Sequence, residues 1–324
     1  MKRDRVITVL IALAFVLFPL VVKSDYYQHL VILALMWVVI GGSWNLLAGY
    51  TGQISFGHAI FFGSGAYTAG ILANKLGISA WWGMALGGMV AALFGIVIGW
   101  ICFRLRGAYF ALATIAAGEI FRLVATTWES LTDGMVGIMV LQTFRSKLPY
   151  YYLALFLAGL SLWVFDQVMK SKWGFYFISI REDQDAAESL GINTTLYKNV
   201  SLFISAFLTG TAGAFYMNYM AFIDPEVVFA LFNISIVAIL VAIIGGAATI
   251  WGPAVGAFIM IGIQETFRSA IFGLAPRWVS QSHALVFGLL VIFVILYMAN
   301  GVVGDWPKIK RVIMRRKETQ GVPR

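Results

Sequence analysis

Apolar residues run through this chain in long blocks, without a period-two alternation. The blocks cover roughly residues 6–22, 29–48, 53–73, 81–103, 108–128, 150–168, 200–222, 228–248, 252–272 and 283–300. Each approaches the ~20 residues that a helix needs to cross a bilayer core. In lipid the backbone must bond to itself, and barrel strands would alternate, so unbroken blocks predict helices. The pattern predicts an all-α polytopic membrane protein with about ten transmembrane helices. The third and ninth blocks follow their predecessors across very short breaks, "AGYTG" (48–52) and "GGAATIWGP" (245–253). Either block could be re-entrant instead of spanning.

Composition agrees with the pattern. Of 324 residues, 60% are hydrophobic and 12% charged, against about 25% charged in soluble domains. Mean hydropathy is +0.86. Two longer polar stretches interrupt the blocks, at 129–149 and 169–199. We expect one transmembrane domain over residues 1–304 and a basic tail over 305–324. The first block has a basic start and an apolar core, as a signal peptide does. No small-x-small cleavage site follows Val22, so an uncleaved first span is expected.

Charge orients the bundle. With ten spans both termini share one side. That side would hold Lys2, Arg3, Arg5, Arg104, Arg106, Lys170, Lys172, Arg181 and Lys198, and a tail carrying Lys308, Lys310, Arg311, Arg315, Arg316, Lys317 and Arg324. The other side would hold only Lys23, Lys75, Arg145, Lys147, Arg268 and Arg277. The positive-inside bias places both termini in the cytoplasm. The basic tail reads as a flank for membrane lipids, and no nucleic acid is expected as a partner. The single Cys102 excludes an internal disulfide and reads as packing.

The third block is rich in glycine and polar groups. Ser55, Ala59, Gly63, Ala66 and Gly70 recur at helical spacing and would make one small-residue face. Such a face lets helix backbones approach closely in lipid. Asn45, Gln53, Ser55, His58 and Ser64 are costly against lipid. Two readings fit them: satisfied interhelical hydrogen bonds, or the wall of a translocation path. The three histidines, His29, His58 and His283, lack metal-ligand spacing, so no metal site is expected. In the second break, Gly245, Gly246 and Gly252 precede Pro253, as at a helix start or a tight helix–helix turn. Glu119 and Arg122 stand three apart inside the fifth block and are expected to pair, with a proton-relay or counter-ion role as the alternative.

The 169–199 loop contains "REDQDAAESLG". Arg181 to Glu188 is charged and free of Pro and Gly, and Gly191 suits a helix C-terminus. One short exposed helix is expected there. Asp185-Ala186-Ala187 followed by Gly191 resembles the EAA-x-x-x-G loop of ABC importer permeases. That resemblance implies that Arg181, Glu182, Asp183, Asp185, Ala186, Ala187 and Gly191 form a cytoplasmic coupling helix against an ATPase subunit.

"NLLAGYTGQISFGHAIFFGSGAYTAG", "RLRGAYFALATIAAGEIFR", "SAFLTGTAGAFY" and "GGAATIWGPAVGAF" occur in the order found in LivM-type permeases of branched-chain amino-acid ABC importers. The resemblance covers about residues 30–300. It implies a permease subunit in a bacterial inner membrane, carrying leucine, isoleucine or valine. It also implies a second permease of the LivH type, two ATPase subunits and a periplasmic substrate-binding protein. The same family serves urea, short amides and other amino acids. No G-x-x-x-x-G-K-[ST] loop, G-x-S-x-G motif or intramembrane metal pair occurs. The chain therefore reads as a transport subunit and not an enzyme. It would bind no cofactor, and ATP would be used by partner subunits. An ion-coupled secondary transporter is the rival class, but few acids lie within the blocks to serve it, and Glu119 is the most central of them.

Overall fold

The computed structural model describes residues 13–274, Gly288 and residues 301–304. Helix α1 covers 13–21. Helix α2 (Asp25–Asn45) runs into a π turn at Leu46–Tyr50. A non-helical stretch leads to α3 (His58–Leu76), followed by α4 (Ala80–Cys102) and α5 (Ala108–Thr127). Then come the short α6 (Glu129–Thr132), strand β1 (Ile138–Met139) and α7 (Leu148–Lys170). The 169–199 stretch folds as α8 (Lys172–Glu182) and α9 (Gln184–Ser189). The long α10 (Thr194–Met220) leads to β2 (Phe222–Ile223) and the one-turn α11 (Pro225–Val228). A second π turn at Leu231–Ile236 opens α12 (Val237–Gly245), and α13 (Gly252–Leu274) and α14 (Gly301–Gly304) follow.

Six of these segments are long and apolar enough to cross a membrane: Asp25–Tyr50, Trp81–Cys102, Ala108–Thr127, Leu148–Lys170, Thr194–Met220 and Pro225–Gly245. The protein is thus an all-α, multi-pass membrane protein. The expected span at 283–300, apart from Gly288, and the basic tail lie outside the described residues. Among the described residues the one sheet is small: Ile138 and Met139 pair antiparallel with Ile223 and Phe222, tying the 129–149 loop to the end of α10.

Helix α2 is the axis. It is apolar around its circumference, so it suits only the centre of a bundle. From Leu35 to Asn45 every residue is buried, against α7, α10, α12 and α13. A second group forms where α3 and α4 pack on α10. A Cβ on Gly65 would lie 2.0 Å from the Gly210 carbonyl oxygen, and one on Gly213 would lie 2.0 Å from that of Phe62. These backbones touch because side chains are missing. Lipid gives no hydrophobic drive for helix association, so the contact rests on close packing.

The expected small-residue face is corrected in two ways. Ser55 lies in the break before α3, so it belongs to no helix face. The close backbone contacts of α3 are made at Gly65, against Gly210, and at Phe62, against Gly213. Gly63 instead abuts the Phe229 ring, while Gly70 meets Met217 and Ile138. Ala59 and Ala66 are buried. Both sides of α3 are therefore packed.

Candidate functional site

The two breaks come together. Asn45, one turn before the end of the α2 spiral, donates from Nδ2 to the Thr249 carbonyl at 2.9 Å and accepts the Ala248 N–H on Oδ1 at 2.8 Å. Ala248 has a φ of 57°, a left-handed conformation that a non-glycine residue rarely adopts. One amide side chain thus fixes the turn between α12 and α13.

The first break is held by neighbours. Trp44 Nε1 donates to the Ser55 carbonyl at 2.8 Å, and Thr114 Oγ1 accepts the Phe56 N–H at 3.0 Å. Ser55 Oγ accepts the Gly57 N–H at 3.1 Å. Thr51 Oγ1 donates to Ser201 Oγ at 3.0 Å. Ser235 Oγ accepts the Ala59 N–H at 2.9 Å, which joins α3 to the second π turn. Non-helical backbone at this depth survives only with such partners.

His58 is fully buried, and its Nε2 faces Ser205 Oγ at 2.9 Å. Ser205 Oγ donates to the Ser43 carbonyl at 2.7 Å, so Nε2 carries the proton in this contact. Ser64 Oγ donates to the Phe61 carbonyl within its own helix, and Gln53 Nε2 to the Thr51 carbonyl at 3.3 Å. The five polar residues thus act, in this conformation, as hydrogen-bonding groups of the bundle. Among the described residues no cluster of His, Cys, Asp or Glu could hold a metal ion.

The 169–199 stretch differs from the single helix expected. Asp183 is extended, and its Oδ1 accepts the N–H groups of Asp185 at 2.9 Å and Ala186 at 3.0 Å. A capping carboxylate satisfies donors that a continuous helix would leave to its own carbonyls, so the helix restarts at Asp183. Arg181 and Glu182 therefore end α8, and only Gln184–Ser189 make α9. Gly191 has a φ of 85°, and its N–H bonds the Glu188 carbonyl at 2.9 Å, as expected of a glycine past a helix end. Ala187 is buried, while the Asp185 side chain is 74% exposed and Leu190 is 82% exposed.

Sequence reasoning missed what anchors α9. Arg106, between α4 and α5, donates to Asp185 Oδ1 at 2.7 Å and lies 3.9 Å from Glu188. Its pKa rises, first through the Asp185 hydrogen bond. Glu188 accepts from Thr194 Oγ1 and from Gln184 Nε2, and these bonds lower its pKa below the usual carboxylate value. Lys198 of α10 donates to Gln184. Arg181 is exposed but reaches back to the bundle. Its Nη1 donates to the Gly49 carbonyl at 3.1 Å, and the guanidinium also pairs with Glu182.

Glu119 and Arg122 pair as expected, with Nε donating to Oε2 at 3.0 Å. A third member was not foreseen: Arg122 also binds Glu226 at the start of α11. The cluster lies on the surface of the chain and not inside the bundle. Glu119 and Glu226 side chains are 53% and 58% exposed on the surface of the chain.

A bundle of apolar helices around broken, hydrogen-bonded segments defines a multi-pass membrane protein. The chain belongs to the family of branched-chain amino acid transport system permease components, whose profile matches residues 26–299. It is 25% identical, over 299 residues, to the high-affinity branched-chain amino acid transport system permease protein LivM of Salmonella typhimurium, covering 83% of this chain and 68% of the relative. The LivM protein of Escherichia coli matches at the same identity and coverage. A probable LivH permease of Methanocaldococcus jannaschii is 27% identical over 213 residues, covering 64% of this chain and 62% of that protein. No solved structure matches the chain.

Proposed function

We propose that this chain is a permease subunit of an ATP-binding-cassette importer for branched-chain amino acids. The family match over residues 26–299 carries the reading. In this reading ten spans cross the bacterial inner membrane and both termini are cytoplasmic. The chain binds no cofactor, and two separate ATPase subunits use the ATP. A periplasmic binding protein delivers the amino acid.

The exposed face of α5 supports a second permease across a shared path. Tyr109, Leu112, Ile120 and Leu123 are exposed there, and so is Glu119. A carboxylate on a lipid-facing stripe is costly, so this face meets protein or water. LivH-type chemistry on the partner would complete the wall. At the other end, exposed Asp185 and Leu190 on an anchored, capped helix give an ATPase something to grip. Conduction then needs alternating access, with α9 pushed from the cytoplasm and the broken helices rocking.

The test is transport. The chain is purified from its own membranes, any associated ATPase and second permease are identified, and the set is reconstituted in vesicles with binding protein and ATP. ATP-dependent uptake of leucine, with urea excluded, is expected. Urea uptake without leucine would move the chain to another cargo of the family. Uptake driven by a proton gradient without ATPase would overturn the reading.

A further inference from the structure

We propose that Arg181 and Asn45 form a two-link strut that carries motion of α8 to both helix breaks. The proposal rests on the ABC importer reading above. The first link is the Arg181 guanidinium on the Gly49 carbonyl, at 3.1 Å. Gly49 sits in the π turn that ends the α2 spiral, at the end of a helix where the last carbonyls carry partial negative charge. A cation there both caps and grips the helix end. Gly52 presses on the same residue: a Cβ would stand 3.1 Å from Arg181 Cγ and 3.2 Å from its Cα. A Cβ there would force Arg181 to give way by a few tenths of an ångström, so α8 and the first break lie in close contact.

The second link is Asn45, which lies one turn before Gly49 and holds the Ala248 N–H and the Thr249 carbonyl together. The two breaks also touch directly. A Cβ on Gly49 would lie 2.2 Å from Asn45 Oδ1 and 2.7 Å from the Ala248 nitrogen. The strut is thus continuous, from α8 through the end of α2 to the turn between α12 and α13. It is made of hydrogen bonds with fixed geometry and of backbone contact, and packed cores of this kind shift between discrete arrangements. Arg181 is a positioning residue: it touches no cargo, and it moves what does.

The test uses the assembled transporter in vesicles. A reporter, Ala247→Cys, is placed in the exposed part of the second break in a Cys102→Ser background, and labelled with a membrane-impermeant maleimide with and without ATP. The expected result for Arg181→Gln is normal assembly and ATP hydrolysis, leucine uptake lower by about tenfold, and no ATP-dependent change in labelling. Arg181→Lys, which restores a cationic donor, recovers part of both. Asn45→Ala cuts the second link without touching charge and abolishes the labelling change in the same way. It decides the matter if Arg181→Gln does not assemble. A labelling change that persists in Asn45→Ala, or uptake unchanged in Arg181→Gln, overturns the strut. If no ATPase associates with the unaltered chain, the importer reading has failed, and the strut has nothing to transmit.

Discussion

The Gly65 Cα faces the Gly210 carbonyl so closely that an added Cβ would stand 2.0 Å from its oxygen. Gly63, two residues earlier, would meet only the Phe229 ring. A backbone carbonyl cannot turn aside, whereas a ring can rotate. Gly65→Ala is therefore expected to cost more than Gly63→Ala, by about 1–3 kcal/mol of overpacking. Thermal unfolding of the purified chain in detergent checks the order. Equal melting temperatures would mean that α3 and α10 do not meet through this glycine.

The Arg122 cluster is lopsided. Glu119→Gln leaves Arg122 still bound to Glu226, and Glu226→Gln leaves it bound to Glu119. Arg122→Gln strands two carboxylates on the same surface. Either carboxylate replacement should lower the yield of folded protein slightly, and Arg122→Gln should lower it severalfold. Adding Glu119→Gln and Glu226→Gln to Arg122→Gln should recover much of the loss. Fluorescence-detected size exclusion of the four variants measures it. A normal yield for Arg122→Gln would remove the structural role.

Acid should loosen α9. Glu188 has its pKa lowered by the Thr194 and Gln184 hydrogen bonds, so it favours the folded corner in its charged form. That contribution is fully present above the ordinary value of 4.5 and is lost as pH falls through the lower folded value. Amide exchange at Ala187 and Leu190 should quicken in that window beyond its intrinsic pH dependence. Glu188→Gln should remove the excess, and an excess surviving in that variant would point to another group.

Much of the fold was legible because lipid imposes long apolar blocks. The blocks at 29–48, 81–103, 108–128 and 150–168 lie on α2, α4, α5 and α7 with ends displaced by a few residues. Asn45, Ser55 and His58 were legible as polar groups needing partners. Which partners was not, because Thr249, Trp44 and Ser205 stand far away in sequence and only packing brings them in. Asp183 was read inside a helix because charge density and the absence of Pro and Gly suit a helix, yet an Asp offers its neighbours a cap just as well. Gly65 was missed because the stripe drawn through Ala59, Gly63, Ala66 and Gly70 follows another face of α3, which is packed as well. The break before His58 takes Ser55 off the helix, and no periodicity reveals it.

The last expectation concerns the surface of α9. Leu190 is 82% exposed, and it stands beside the turn that Gly191 makes. Its side chain contributes little to the chain's own core, so Leu190→Ser should leave folding unchanged within about 0.5 kcal/mol. If α9 seats in an ATPase subunit, the same change removes the apolar contact most available to that partner and should weaken association several-fold. Asp185→Lys is a poorer probe, because it also breaks the Arg106 pair that anchors the helix. Asp183→Ala is a useful contrast: it removes the cap, should cost about 1 kcal/mol of local stability, and should loosen α9 without altering its exposed face. Pull-down of the ATPase by each variant, alongside melting of the free permease, separates the two effects. Full association of Leu190→Ser would show that the partner grips the chain elsewhere, and cysteines placed singly along residues 185–191 should then give no cross-link to it.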